Sequence, residues 1–176
     1  MPSDIDKVVA CLKFLDLRPR MNDYRWRFMT QKIGFLAKAL GMDIRYEFTI
    51  YVAGPYSRDL NCDYYSFEVK VKMDALETDY QLSTNDTAAL TRIKSCQGLL
   101  ENQSLLEATA TAVYLIRQNP NEGDDSLFMS LKRLKPHLSD SDRVVGITKA
   151  KELLFTPDYL TEDLKREMDE WDRLES

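Results

Sequence analysis

Apolar positions recur along most of this chain at intervals of three and four, the spacing of one face of an α-helix. The first run is Ile5, Val8, Val9, Leu12 and Leu15. Ser3 stands where an N-cap belongs, and Asp4 and Asp6 complement the positive end of the helix dipole. Leu17-Arg-Pro-Arg20 closes that helix, because proline disfavours helical geometry in the residue before it. A second run, Trp26, Met29, Ile33, Leu36 and Leu40, steps by 3, 4, 3 and 4. Asn22 reads as its cap and Gly41 as its C-terminal stop.

The pattern then changes. Tyr46, Phe48, Ile50 and Val52 share one parity and favour β structure, which predicts a short extended element within 44–52, ended by Gly54-Pro55. Ser57 caps a predicted third helix with Leu60, Tyr64, Phe67 and Val71 on one stripe. Residues 65–72 support a second reading, since Tyr65, Phe67, Val69 and Val71 alternate with Ser66, Glu68, Lys70 and Lys72 as in a half-buried strand. The helix is preferred. Residues 80–82 form a further short extended segment, with a cap around Ser83 to Asn85.

Four more helices are expected at about 85–100, 103–118, 125–135 and 140–154. The second of these carries Leu105, Leu106, Thr109, Ala112, Val113 and Ile116 on one side and is rich in Ala and Thr, which suits close packing at the centre. Asn119 to Asp125 reads as a loop. Beyond Thr156-Pro157, Leu160, Leu164, Met168, Trp171 and Leu174 form one side of a last helix expected to dock on the body. The expected fold is therefore mainly α: a compact bundle of about seven or eight helices with a short strand or hairpin near 44–52 and 80–82. It is read as a single domain, 1–176, whose residues 158–176 form an acidic amphipathic C-terminal helix.

Composition agrees with a globular chain: 176 residues, 44% apolar and 30% charged, with six Gly and six Pro, enough for one domain with a real core. No basic head precedes an apolar run at the N-terminus, and no long apolar stretch occurs, so neither secretion nor membrane spanning is expected. Cys11, Cys62 and Cys96 are an odd number without close pairs, which fits reduced thiols in a cytoplasmic compartment and small core residues. Between Asp158 and Ser176 eight acids face three bases, so this stretch carries the whole net charge of −5. The remainder is balanced, with one basic cluster at Arg18, Arg20, Arg25 and Arg27.

No catalytic constellation stands out. Cys11, Cys62, Cys96 and His137 lack the paired spacing of a zinc site, and neither metal nor cofactor is expected. There is no Gly-x-Ser-x-Gly elbow and no phosphate-cradling glycine run. His137, after Pro136, reads as a helix-end surface residue. Two readings involve nucleic acid. If 65–72 were a strand, Glu68 and Lys70 would share a face near Asp59, an arrangement able to hold Mg²⁺ in a nuclease. Separately, Arg18 to Arg27 interleaves with Tyr24, Trp26 and Phe28, as a surface for single-stranded nucleic acid would. Both are alternatives to the favoured reading, because charges usually lie on a wet face and an acidic chain neutralises few phosphates.

Gln31-Lys-Ile-Gly-Phe-Leu36, Tyr46-Glu-Phe-Thr-Ile-Tyr51 and Gly54-Pro-Tyr-Ser-Arg-Asp-Leu60 together resemble the YwgA-like group of prokaryotic proteins. More distantly they resemble the Panacea domain of antitoxins and of a toxin-presenting adaptor. The likeness covers residues 22–75. It implies a non-catalytic interaction or regulatory protein, antitoxin-like or adaptor-like, whose protein partner could be a toxin. Within the motif, Gly54, Pro55 and Ser57 have local structural reasons, so Tyr56, Arg58 and Asp59 are the candidate contact residues, joined by Arg25 and Arg27.

Overall fold

The computed structural model describes residues 3–155 together with 170, 173 and 174. Among these the chain forms α1 (Asp4–Phe14), α2 (Tyr24–Ala39), β1 (Thr49–Tyr51), β2 (Gly54–Tyr56), α3 (Arg58–Tyr64), α4 (Phe67–Ala75), α5 (Thr84–Ser95), α6 (Gln103–Gln118), α7 (Asp124–Leu134) and α8 (Asp140–Leu154). The mainly helical expectation holds, with the strands reduced to one antiparallel hairpin that pairs Thr49 with Tyr56 and Tyr51 with Gly54. Apart from 170, 173 and 174, the C-terminal helix expected over 158–176 lies outside the described residues. No helix among the described residues is long and apolar enough to cross a membrane.

Helix boundaries follow local chemistry. Ser3 N–H donates to the Asp6 carboxylate at 3.0 Å, one arm of a capping box on α1. The cap of α2 is Asp23, one residue beyond the expected Asn22, and its carboxylate accepts from the Arg25 N–H. Gly41 follows α2 at φ +110°, a left-handed position that glycine adopts without strain.

Helix α6 is the central element. Every residue from Leu105 to Val113 is buried, because α2, α7, α8 and the hairpin all pack on it. The α6–α8 crossing is close: a Cβ added to Gly146 would lie 2.7 Å from Ala108 Cβ. The Ala and Thr content of α6 is what permits that approach. Around it, Val8, Leu12, Ile33, Leu36, Leu60, Leu90, Ile93 and Leu99 continue one buried cluster.

Several expectations need correction. The expected third helix is two helices broken at Tyr65-Ser66, where the Ser66 hydroxyl accepts from Val69 N–H and starts α4 afresh. The break turns the predicted stripe: Leu60 and Tyr64 are buried, but Phe67 and Val71 face solvent, and Met73 takes the core position. Residues 67–75 are helical, so no strand places Glu68 beside Lys70. Gly54-Pro55 does not end the hairpin but begins its second strand, the turn falling at Val52-Ala53. Residues 80–82 pair with no strand; Tyr80 and Leu82 pack against the core from irregular backbone. Cys62 is exposed, unlike Cys11 and Cys96.

Residues 44–48 keep the predicted alternation, with Ile44, Tyr46 and Phe48 buried and Arg45 and Glu47 exposed, yet no strand pairs with them. Side chains do that work. Lys7 Nζ donates to Asp43 O at 2.5 Å, Lys38 Nζ to Tyr46 O at 2.6 Å, and Arg45 N–H to the Asp4 carboxylate at 3.0 Å. Buried backbone polar groups need partners, and here ammonium groups supply them in place of a ladder.

Candidate functional site: an aromatic cleft beside the hairpin

The same device, used on the hairpin itself, builds a cleft. Lys32 of α2 is fully buried and donates from Nζ to Pro55 O at 2.8 Å. Lys135, just past α7, is equally buried and donates to Val52 O at 2.6 Å and to Tyr51 O. Arg143 of α8 fixes the backbone that carries Lys135, donating to Lys135 O and Pro136 O at 3.1 Å each. Gln31, next to Lys32, grips the strand exit like a second backbone: its Oε1 accepts from Ser57 N–H at 2.8 Å and its Nε2 donates to Ser57 O at 2.9 Å. The Gln-Lys pair of α2 and the Gly-Pro-Tyr-Ser turn are thus two halves of one joint.

Beneath the hairpin the charges are coupled. Glu107 of α6, itself buried, lies 3.8 Å from Lys135 Nζ, and its other neighbour is His137 Nε2 at 2.9 Å. Burial pulls the Lys32 amine down to about 7; Glu107 holds it up and Lys135 pulls it further down. Burial lowers Lys135 as well, against the attraction of Glu107. Two cations thus share one carboxylate, and the amine with the weaker claim on it loses its proton first.

Gly54 is the close-packed point of this arrangement. It sits at φ +95°, and a Cβ there would meet Thr111 Oγ1 at 3.0 Å and Lys32 Cε at 3.1 Å. Neither neighbour is loose, since Thr111 donates to Glu107 O at 2.8 Å and Lys32 is held by Pro55 O.

So anchored, the hairpin walls a cleft of about 310 Å³ with α2 and α3. Helix α2 contributes Tyr24, Arg27, Phe28 and Gln31, one helical stripe, with Lys32 beside it. The hairpin contributes Tyr51 to Gly54 and Tyr56, and α3 with its C-cap contributes Asn61, Tyr64 and Tyr65. Tyr51 and Tyr56 stack across the strands, centroids 5.1 Å apart and planes at 24°. Arg27 lies 5.9 Å over the Tyr65 ring and Lys32 4.6 Å over Phe28. Tyr64 hydroxyl donates to Asn61 Oδ1 at 2.9 Å, and burial pushes its phenol up to about 12. Tyr56 is raised too, by burial and by its tyrosine neighbours. Both phenols therefore stay protonated and serve as walls and hydrogen-bond donors rather than bases.

Of the five residues singled out from sequence, the structure brings Tyr56 and Arg27 into this cleft. Arg58 and Asp59 are exposed in the first turn of α3, outside the lining, and Arg25 is exposed on α2, also outside it. Asp59 there complements the α3 dipole. His137 is half exposed, as expected of a surface residue, but is tied to Glu107. Sequence reasoning missed Gln31, Lys32, Glu107 and Lys135. One signal was present: Lys32 falls between Phe28 and Leu36 at intervals of four, a charged residue inside an apolar stripe. Among the described residues no cluster of His, Cys, Asp or Glu could hold a metal ion.

No protein-family model, curated protein or solved structure matches the chain significantly. What the fold and the site define is a mainly helical protein with a preformed aromatic cleft whose wall is pinned from behind.

Proposed function

We propose that this chain is a non-catalytic interaction or regulatory protein, adaptor-like or antitoxin-like, whose aromatic cleft holds a segment of a protein partner. One observation carries the reading: Tyr24, Tyr51, Val52 and Tyr65, each more than half exposed, ring a single depression. These four stand together around one cleft, a local gathering of apolar surface. Gathered apolar surface marks interaction sites, and tyrosines give large contact area at low cost in lost side-chain freedom. The resemblance to antitoxin and adaptor proteins supports a regulatory role, with a toxin as one class of partner. The nuclease alternative loses its premise, because Glu68 and Lys70 stand on α4.

The test is selection of peptides from a display library on the whole protein, followed by calorimetry. Peptides selected on the native protein should bind the Tyr51→Ala/Tyr65→Ala variant at least about tenfold more weakly, the loss expected of two aromatic anchors, while its circular dichroism is unchanged. Selection of no peptide, or equal affinity for the variant, overturns the reading.

A further inference from the structure

The cleft has a charge as well as a shape. We propose that the group it receives is a planar aromatic ring bearing one negative group, carboxylate or phosphate, the ring among the tyrosines and the anion at Arg27 and Lys32. This deepens the docking reading above and rests on it for the location of the site.

Charge complementarity favours an anion. The thirteen lining residues include two cations and no acid. A concave surface with basic groups and no carboxylate presents a local field suited to a negative group.

Unused donors favour it as well. An ammonium carries three N–H groups, and Pro55 O takes one from Lys32. Arg27 donates from one guanidinium nitrogen to Met21 O at 3.1 Å, which leaves further N–H groups of its five. An incoming anion satisfies these groups, whereas a neutral ligand would cover them without pairing them.

The ring follows from the walls. Tyr51, Tyr24 and Tyr65 are exposed around the cleft, and the Tyr51–Tyr56 pair already sets a stacking geometry that another ring can join. A cationic ring is disfavoured, because Arg27 and Lys32 already sit over Tyr65 and Phe28. The size is small: about 310 Å³ lies at the low end for ligand pockets, enough for one ring and its charged group but not for a dinucleotide.

The experiment titrates the full chain with phenyl phosphate, benzyl alcohol and benzylammonium at pH 6, where Lys32 carries its proton, and low salt, followed by ¹H–¹⁵N NMR. Phenyl phosphate is expected to bind at least about tenfold more tightly than either other probe, as one charge-assisted hydrogen bond provides, with shifts confined to α2, the hairpin and α3. Arg27→Gln and Lys32→Met should each weaken it about fivefold or more. Because Lys32 also anchors Pro55, Arg27→Gln is the decisive variant if Lys32→Met does not fold. Equal binding of benzyl alcohol or benzylammonium, or an unchanged Arg27→Gln, overturns the proposal and leaves the docking reading standing. A final arm uses a short peptide carrying phosphotyrosine. If it binds more tightly than phenyl phosphate, a partner chain supplies the group. If it binds no more tightly, the ring-and-anion site stands and the protein-docking reading falls.

Discussion

Replacing Gly54 by alanine tests the joint between α2, the hairpin and α6, provided that its backbone and packing costs are separated. Gly54 and Gly41 share the backbone problem, with φ at +95° and +110°. Forcing an L-residue into that region costs about 1–2 kcal/mol. They differ in surroundings. A Cβ at Gly41 meets nothing within 4 Å, whereas at Gly54 it presses on Thr111 Oγ1 and Lys32 Cε. Both neighbours are held by their own hydrogen bonds, so the added methyl cannot be absorbed by a side-chain swing, and overpacking of this kind costs about 1–3 kcal/mol. Gly41→Ala should therefore lose about 1–2 kcal/mol and Gly54→Ala about 2–5 kcal/mol. Urea denaturation of the two variants beside the native protein measures both, since equal slopes allow the midpoints to be compared. If Gly54→Ala is no worse than Gly41→Ala, the hairpin is not pressed against α6 and the account of the cleft wall fails.

Three further outcomes are expected. Gly146→Ala drives a methyl into Ala108 at the α6–α8 crossing, and should cost about 1–3 kcal/mol in the same assay; a neutral result would mean that the two helices can part. Lys135→Met takes from Glu107 one of its two buried cations and from two hairpin carbonyls their lysine donor, at a cost of about 3–5 kcal/mol; retention of native stability would show that these contacts are not formed in solution. The third concerns pH. Lys32 holds its proton up to about 7 in the folded chain and to about 10.5 when unfolded. Between those values the unfolded state binds the extra proton, so stability should rise with pH, by about 1.4 kcal/mol for each pH unit crossed. Lys135 acts in the same direction, while groups raised in the folded state oppose, the buried Cys11 and Cys96 thiols from about pH 9 and the Tyr64 phenol from about pH 10. Urea midpoints at pH 6.5 and 9.5 should differ in that sense for the native protein and much less for Lys32→Met; a native midpoint that is flat or falls over this interval refutes the buried amine.

The helices were legible where propensity and packing agree. Periodicity, read with the caps, places α6 at 103–118 and α8 at 140–154, the bounds that the structure has, with Asn102 and Ser139 capping them. It fails at residues 57–75, where Tyr64 and Phe67 continue one stripe on paper but Ser66, itself a good cap, restarts the helix and turns Phe67 outward. The strand expected within 44–52 shrank for another reason: alternation reports burial of one face, and at 44–48 that burial is met with Lys38, Lys7 and Asp4 in place of a neighbouring strand. The cleft was half visible. Tyr56 and Arg27 could be suspected from the motif and the basic cluster, but Glu107 and Lys135 stand 53 and 81 positions from Gly54 and reach it only through the packing of α6 and the turn after α7. Nothing local marks Lys135 as a lysine that will bond a distant carbonyl.

That mode of attachment has a consequence for change over time and for engineering. Lys32 and Lys135 hold Pro55, Val52 and Tyr51 through carbonyl oxygens, a group common to all twenty residue types. The anchors do not read the side chains at the tip, and Tyr51 and Val52 project into solvent. Replacements there leave the grip on the loop intact while altering what the cleft displays. The hairpin is in this sense a mount with an exchangeable face: new recognition can be written at positions 51 and 52 without renegotiating the fold behind them.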